Sequence, residues 1–224
     1  MDVRLISCTP NPEKLVAVAA RLCYSDKSPI ELYEDLTDDQ IESLINIVTS
    51  NGHLSTLEHA VFTFAISGIS RACTHQLVRH RMASYNQQSQ RYVKFDTDTF
   101  NSVIPDSIAD NQAICDEFNS AISHCQSVYS KLLEAGVPAE DARFLLPNSI
   151  ESNIIVTMNA RELNHFFSVR CCNRSQWEIR GLAWEMLNIV KDIAPNLFKT
   201  AGPECIRRGC PEGKMSCGNP YKFI

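Results

Sequence analysis

NIIVTMNARELNHFFSVR, Asn153 to Arg170, changes periodicity part-way along. Asn153 to Met158 is a short apolar run with β-branched residues, which reads as a strand. Asn159-Ala160-Arg161-Glu162 then puts an N-cap residue three positions ahead of a glutamate, a capping box for a helix through Arg170. Upstream, VFTFAI (61–66) reads as a buried strand, and Ser70 can cap a helix running to about Arg81. Other helix starts carry their own signals. Asn11-Pro12-Glu13 opens a stripe of Leu15, Val18, Ala19 and Leu22. Thr37-Asp38-Asp39-Gln40 is a capping box before Ile41, Leu44, Ile45 and Val48, stopped by Asn51-Gly52. A long amphipathic helix starts near Asp110, with Ile114, Phe118, Ile122, Cys125, Val128, Tyr129 and Leu132 on one side, and Gly136 with Pro138 stops it. Ser175-Gln176-Trp177-Glu178 is a further capping box, ahead of Ile179, Leu182, Ala183, Met186, Leu187 and Val190. Strands and helices are mixed without a βαβ rhythm, so the fold class is α+β with an antiparallel sheet. A chain of 224 residues without a linker reads as one domain over 1–224, with a cysteine-bearing tail from about 203.

No signal peptide is recognisable at the N-terminus and no apolar run reaches membrane-spanning length, so a soluble cytoplasmic protein is expected. In that setting the ten cysteines read as thiols, not a disulfide framework. Cys205, Cys210 and Cys217, even with Cys171-Cys172, have no standard zinc or iron–sulfur spacing, so no metal is assigned.

The net charge is −5, yet no acidic residue lies between Glu58 and Asp96, where Arg71, Arg79, Arg81, Arg91 and Lys94 all fall. A basic island in an acidic chain points to a localised anion site. A nucleic-acid or membrane surface would need a more general positive excess. Inside the island runs RHRMASYNQQSQRY, Arg79 to Tyr92. Guanidinium forks match phosphate oxygens. On the expected helix Gln76 and Arg79 share a face. Beyond Met82 an extended chain with period-two alternation sends Ser89 and Arg91 one way, and Gln88 and Gln90 the other. The competing reading is a solvated helix end and polar loop, or a basic-patch module for nucleic acid.

RHRMASYNQQSQRY resembles the signature of the flavin-dependent thymidylate synthases, Arg-His-Arg-x-x-Ser-x-Asn-x-x-Ser-x-Arg. It matches at Arg79, His80, Arg81, Ser84, Asn86, Ser89 and Arg91. The resemblance continues in GHLSTLEHAVFTF, EDARFLLP, TMNARELNHFF and NRSQWEIR, in the family's order. It implies an α+β subunit of a homotetramer with active sites where subunits meet. It implies reductive methylation of dUMP to dTMP, with carbon from 5,10-methylenetetrahydrofolate and hydride from NADPH through bound FAD. This route needs no enzyme nucleophile, in keeping with the lack of a Pro-Cys-His site. No GxGxxG fingerprint occurs either, as expected of a reductant that docks transiently.

The resemblance also implies roles. Gln76, Arg79, Gln87, Gln88, Ser89, Gln90, Arg91 and Arg143 hold dUMP, with Ser89 and Arg91 at its phosphate. Ser89 has no evident base beside it and is read as a binding group. Arg170 polarises the uracil at N3 and O2 and is the catalytic residue. His53, Ser55, Arg79, His80, Arg81, Gln87, Asn159, Arg161 and His165 contact FAD. Some of these departs from the family pattern: Gln87 stands where many members carry an acid, and His165 where members carry an amide. Three residues keep a second reading from the sequence itself: Arg143 as an ion-pair partner of Glu140, Asn159 as a plain N-cap, and Arg170 as a cation at a helix C-terminus.

Overall fold

The structure is a computed structural model that describes residues 1–95 and 100–221. Strand β1 (Asp2–Cys8) leads into helices α1 (Pro12–Leu22), α2 (Pro29–Asp35) and α3 (Asp38–Ser50). A short 3-10 helix, Leu54–His59, precedes β2 (Val61–Ser70), α4 (Arg71–Leu77) and β3 (Ala83–Gln87). Then come α5 (Asp106–Ala109), α6 (Gln112–Glu134), α7 (Ala139–Ala142), β4 (Glu151–Asn159), α8 (Ala160–Arg170), α9 (Trp177–Ile193) and α10 (Cys205–Arg208). The strands form an antiparallel sheet in the order β1-β2-β4-β3, so the expected α+β class holds.

The chain divides into two compact units. The first comprises 1–2, 66–79 and 86–155, and the second 3–65, 80–85 and 156–224. In the first, Phe100, Ile122, Tyr129, Ala142 and Ile150 form a buried cluster flanked by Phe118 and Leu132 of α6. Gly68 adopts φ +68°, and a Cβ there would meet the Met1 backbone nitrogen at 3.2 Å, so β2 needs glycine where the chain start crosses it. In the second, β2 buries Phe62 and Phe64, and α9 buries Ile179, Leu182, Met186, Leu187 and Val190. Phe198 joins this core edge-on to Phe62 and Phe167, at 5.5 and 6.0 Å.

Most helix starts lie where the sequence puts them. Thr37 makes its capping box with Gln40. The side chain of Ser70 accepts the Cys73 N–H at 3.0 Å. Asn11 and Pro12 open α1 as expected, with Asn11 at φ 47° and Pro at N1 setting the first turn. One start differs. Gln176, not Ser175, caps α9, since its longer amide reaches the N–H groups of Glu178 and Ile179 while the Ser175 hydroxyl donates to the Val169 carbonyl. Strand β1 and the short helices α2, α5, α7 and α10 add to the expected elements, α2 starting at a capping box of Ser28 and Glu31.

Candidate functional site

In the first unit, α4 ends at Leu77 instead of continuing to Arg81. The Arg79 N–H closes the last turn on the Gln76 carbonyl at 3.3 Å. Beyond the helix, His80 is buried to 7% exposure while its neighbours Arg79 and Arg81 are exposed. Strand β3 likewise stops at Gln87. The expected alternation through Arg91 gives way to a turn: the Ser89 hydroxyl accepts the Arg91 N–H at 3.1 Å and the Ser89 carbonyl accepts the Val93 N–H at 3.0 Å. A serine that bonds its own backbone two residues on competes with the strand ladder, which explains the difference.

The polar ladder therefore spreads over four different partners. The Gln87 amide nitrogen donates to the hydroxyls of buried Thr74 and Ser152, at 3.0 and 2.9 Å. Gln88 accepts the Asn153 amide at 2.8 Å. Arg91 donates through Nε to the Glu140 carboxylate at 2.5 Å. That carboxylate is thus not the partner of Arg143, whose Nε instead donates to the Glu140 backbone carbonyl at 3.0 Å. Arg143 also lies within electrostatic reach of Arg71. Burial first, then the Arg143 charge, holds the Arg71 guanidinium below its usual range. Two neighbouring cations, neither ion-paired among the described residues, make an anion-attracting corner. Arg71 was visible in the sequence only as part of the basic island. Gln76 and Gln90 are half-buried.

In the second unit, the turn from β4 into α8 is fastened by the Ala160 N–H on the Ala60 carbonyl at 2.8 Å. Asn159 caps α8 by accepting the Glu162 N–H at 2.9 Å, so its plain N-cap reading holds. The return half of the expected capping box is absent. The Glu162 carboxylate turns inward and lies 3.4 Å from Nδ1 of His80. On its other side, Nε2 of His80 accepts Nε–H of Arg170 at 3.0 Å. Tyr85 donates its hydroxyl to the His80 carbonyl at 2.8 Å, and Phe166 packs edge-on against the imidazole at 4.9 Å. Burial, then the charges of Arg170 and His165, push the imidazole down to about 4, so it is neutral near pH 7. Glu162 is pushed upward by burial.

Arg170 sits half-buried in the last turn of α8, at the negative end of the helix dipole. Arg161 and His165, one helical turn apart, are exposed, and Arg161 pairs with Glu58 of the 3-10 helix at 2.6 Å. His53 and Ser55 are exposed at the start of that helix. A cleft of about 850 Å³ opens beside them, lined by Gly52, Leu54, Leu57, Arg161, Asn164 and Asn196. All ten cysteines are free thiols. Burial pushes Cys171 up to about 12, which makes it a poor nucleophile. No helix among the described residues is long and apolar enough to cross a membrane.

This geometry can be set against known proteins. The family described as "Thymidylate synthase complementing protein" matches residues 4–196. A flavin-dependent thymidylate synthase of Geobacter sulfurreducens is 55% identical over 218 residues, covering 97% of this chain and 94% of the relative. This chain belongs to the flavin-dependent thymidylate synthase family. The synthase of Clostridium tetani is 50% identical over 234 residues, covering 97% of this chain and 93% of its own. That of Saccharolobus solfataricus is 48% identical over 206 residues, covering 92% and 78%. Membership makes the chain an enzyme. The sequence did not reveal Thr74 and Ser152 beside Gln87, Asn153 beside Gln88, Glu162 beside His80 or Glu58 beside Arg161, and Glu140, expected at Arg143, pairs with Arg91 instead. Only distance in space joins them to the motif, so no local spacing reveals them.

Proposed function

We propose that this chain reductively methylates dUMP to dTMP, with 5,10-methylenetetrahydrofolate as carbon donor and NADPH as reductant through bound FAD. The observation that carries this reading is the contact between Arg170 and His80: Nε–H of Arg170 donates to a neutral imidazole at 3.0 Å, which holds the guanidinium in place. A fixed cation in a half-buried site stabilises negative charge developing on a bound ring. Here that ring is the uracil, met at N3 and O2 by Arg170.

The residues present fit a flavin dinucleotide. Arg161 and His165 offer cationic and imidazole donors along one exposed face of α8, and His53 and Ser55 add an imidazole and a hydroxyl at the 3-10 helix. Arg79, His80, Arg81, Gln87 and Asn159 complete the set, His80 and Asn159 chiefly by holding neighbours in place. Bound there, FAD supplies transfer of hydride from NADPH to the pyrimidine. The chain's own residues bind and orient. Gln76, Arg79, Gln87, Gln88 and Gln90 address the nucleoside, and Ser89, Arg91 and Arg143 its phosphate. The Ser89 hydroxyl meets a backbone N–H and, among the described residues, no base, which supports binding over attack. No cysteine is assigned as nucleophile, a reading the raised Cys171 thiol supports for that residue.

One family match running across both units supports a single catalytic domain. We also assign a homotetramer acting in the cytoplasm, with subunits meeting at the active sites. Phe144, 84% exposed beside Arg143, and Met82, 71% exposed beside Arg81, are apolar groups an assembly would cover. Light scattering on the purified protein measures the assembly; a monomer at all concentrations refutes it.

The function is tested with purified protein. It should carry an oxidised-flavin spectrum and release tritium from position 5 of labelled dUMP only when the folate and NADPH are present. A colourless protein that takes up no FAD and releases no tritium overturns the reading.

A further inference from the structure

We propose that Glu162 is a positioning residue for the reaction: through His80 it fixes the rotation of the Arg170 guanidinium, and with it the direction of the cation toward the pyrimidine. The proposal rests on the reading of Arg170 given above.

A guanidinium carries donors only. Nε2 of His80, 3.0 Å from Nε of Arg170, must therefore offer its lone pair. The ring proton of the neutral imidazole is then on Nδ1, the nitrogen that faces Glu162 Oε1 at 3.4 Å. A doubly protonated ring would set N–H against N–H at the arginine. The carboxylate thus faces the protonated nitrogen and the guanidinium the lone pair, so the three groups are matched in charge and proton placement. Glu162 specifies the tautomer, and the tautomer specifies where Arg170 can dock.

Two further observations make the carboxylate's placement specific. Glu162 is 8% exposed, and a buried carboxylate is retained where a donor meets it. As the third residue of α8 it stands where a capping-box glutamate would reach back to the Asn159 N–H, yet it is directed to His80. The same atoms argue against a metal. His80, Glu162 and His165 have ligand atoms within 4.8 Å of one another. However, one imidazole nitrogen of His80 is taken by Arg170 and the other bears a proton, so neither offers a lone pair to an ion.

The test uses the FAD-loaded enzyme. Glu162→Leu removes the acceptor for Nδ1–H. It should lower kcat by roughly 10- to 100-fold, the usual weight of the outer partner of a working imidazole. Flavin content per subunit and the KM for dUMP should change less than about threefold, within ordinary context scatter. Glu162→Gln, whose amide oxygen still accepts from Nδ1–H, should recover most of the rate. Added to Arg170→Ala, the Leu substitution should have no further effect, because both act through one group. Histidine-selective isotope NMR of the unaltered enzyme should show the Nδ1–H tautomer at His80, a measurement that does not depend on any variant folding. An Nε2–H tautomer or an imidazolium overturns the proposal, as does a Leu variant with undiminished kcat. If Arg170→Ala itself leaves kcat intact, the reading of Arg170 fails instead.

Discussion

Nε of Arg91 and a carboxylate oxygen of Glu140 meet at 2.5 Å on the surface of the first unit, with both side chains about half exposed. Arg91 is also the residue assigned to the dUMP phosphate, so Glu140 occupies one edge of the guanidinium and leaves the charge near a second anion. Arg91→Ala should weaken dUMP binding by about 1.5–3 kcal/mol, the scale of a charged hydrogen bond. Glu140→Gln should tighten it slightly, roughly two- to fivefold, by removing a negative charge beside the phosphate; the gain should shrink in high salt. Titration calorimetry reads both. Unchanged affinity in Arg91→Ala eliminates the phosphate role.

Gln87 has a structural duty independent of any ligand. Its amide nitrogen serves two buried hydroxyls, Thr74 Oγ and Ser152 Oγ, and Thr74 in turn donates to the Arg71 carbonyl at 2.9 Å. Gln87→Ala strands both acceptors, and the ligand-free protein should lose about 1–3 kcal/mol of unfolding free energy. Urea denaturation without nucleotide checks this. An unaltered midpoint with an unaltered slope would mean that the hydroxyls find other donors.

These pairings show where the sequence is informative. Capping signals at Thr37, Ser70 and Asn159 were legible because each acts over three residues, and so were the strand runs at 61–66 and 153–158. The early stop of α4 was not. Val78 and Arg79 close the last turn with no glycine or proline to mark the end in the sequence. The alternation expected through Arg91 failed because a hydroxyl–backbone bond at Ser89 competes with the ladder. Glu162 was legible as a residue type but not in its role, since a capping box and a buried carboxylate have the same local spelling. The family signature named candidate residues but not their partners in the fold.

Arg161 and Glu58, paired at 2.6 Å with both side chains about half exposed, separate stability from cofactor binding. Exposed pairs contribute about 0–1 kcal/mol. Arg161→Ala should therefore leave thermal unfolding of the flavin-free protein nearly unchanged, yet lower flavin occupancy after purification. The ratio of flavin to protein absorbance is the readout. Full occupancy in the variant removes Arg161 from the FAD contacts.

His80 predicts how the enzyme responds to acid. Burial, then Arg170, then His165 hold its imidazole at about 4 in the folded chain, against an ordinary 6.5. Between those values the unfolded chain binds the proton and the folded chain does not. Unfolding free energy therefore rises with pH across that window. The contribution is complete above about pH 6.5 and is lost as pH falls toward 4. The gap, 6.5 minus about 4, at ~1.4 kcal/mol per pH unit, sets the scale at about 3 kcal/mol. Glu162 acts in the opposite sense: burial raises its carboxyl, so the folded state takes up that proton more readily and recovers part of the loss at the acidic end. Urea titrations at successive pH values should show stability falling between 6.5 and 4. His80→Asn, which keeps a polar side chain without the titration, should flatten the slope there while lowering stability at neutral pH. If the variant and the unaltered protein show the same slope, the neutral buried imidazole is not what makes the fold sensitive to acid.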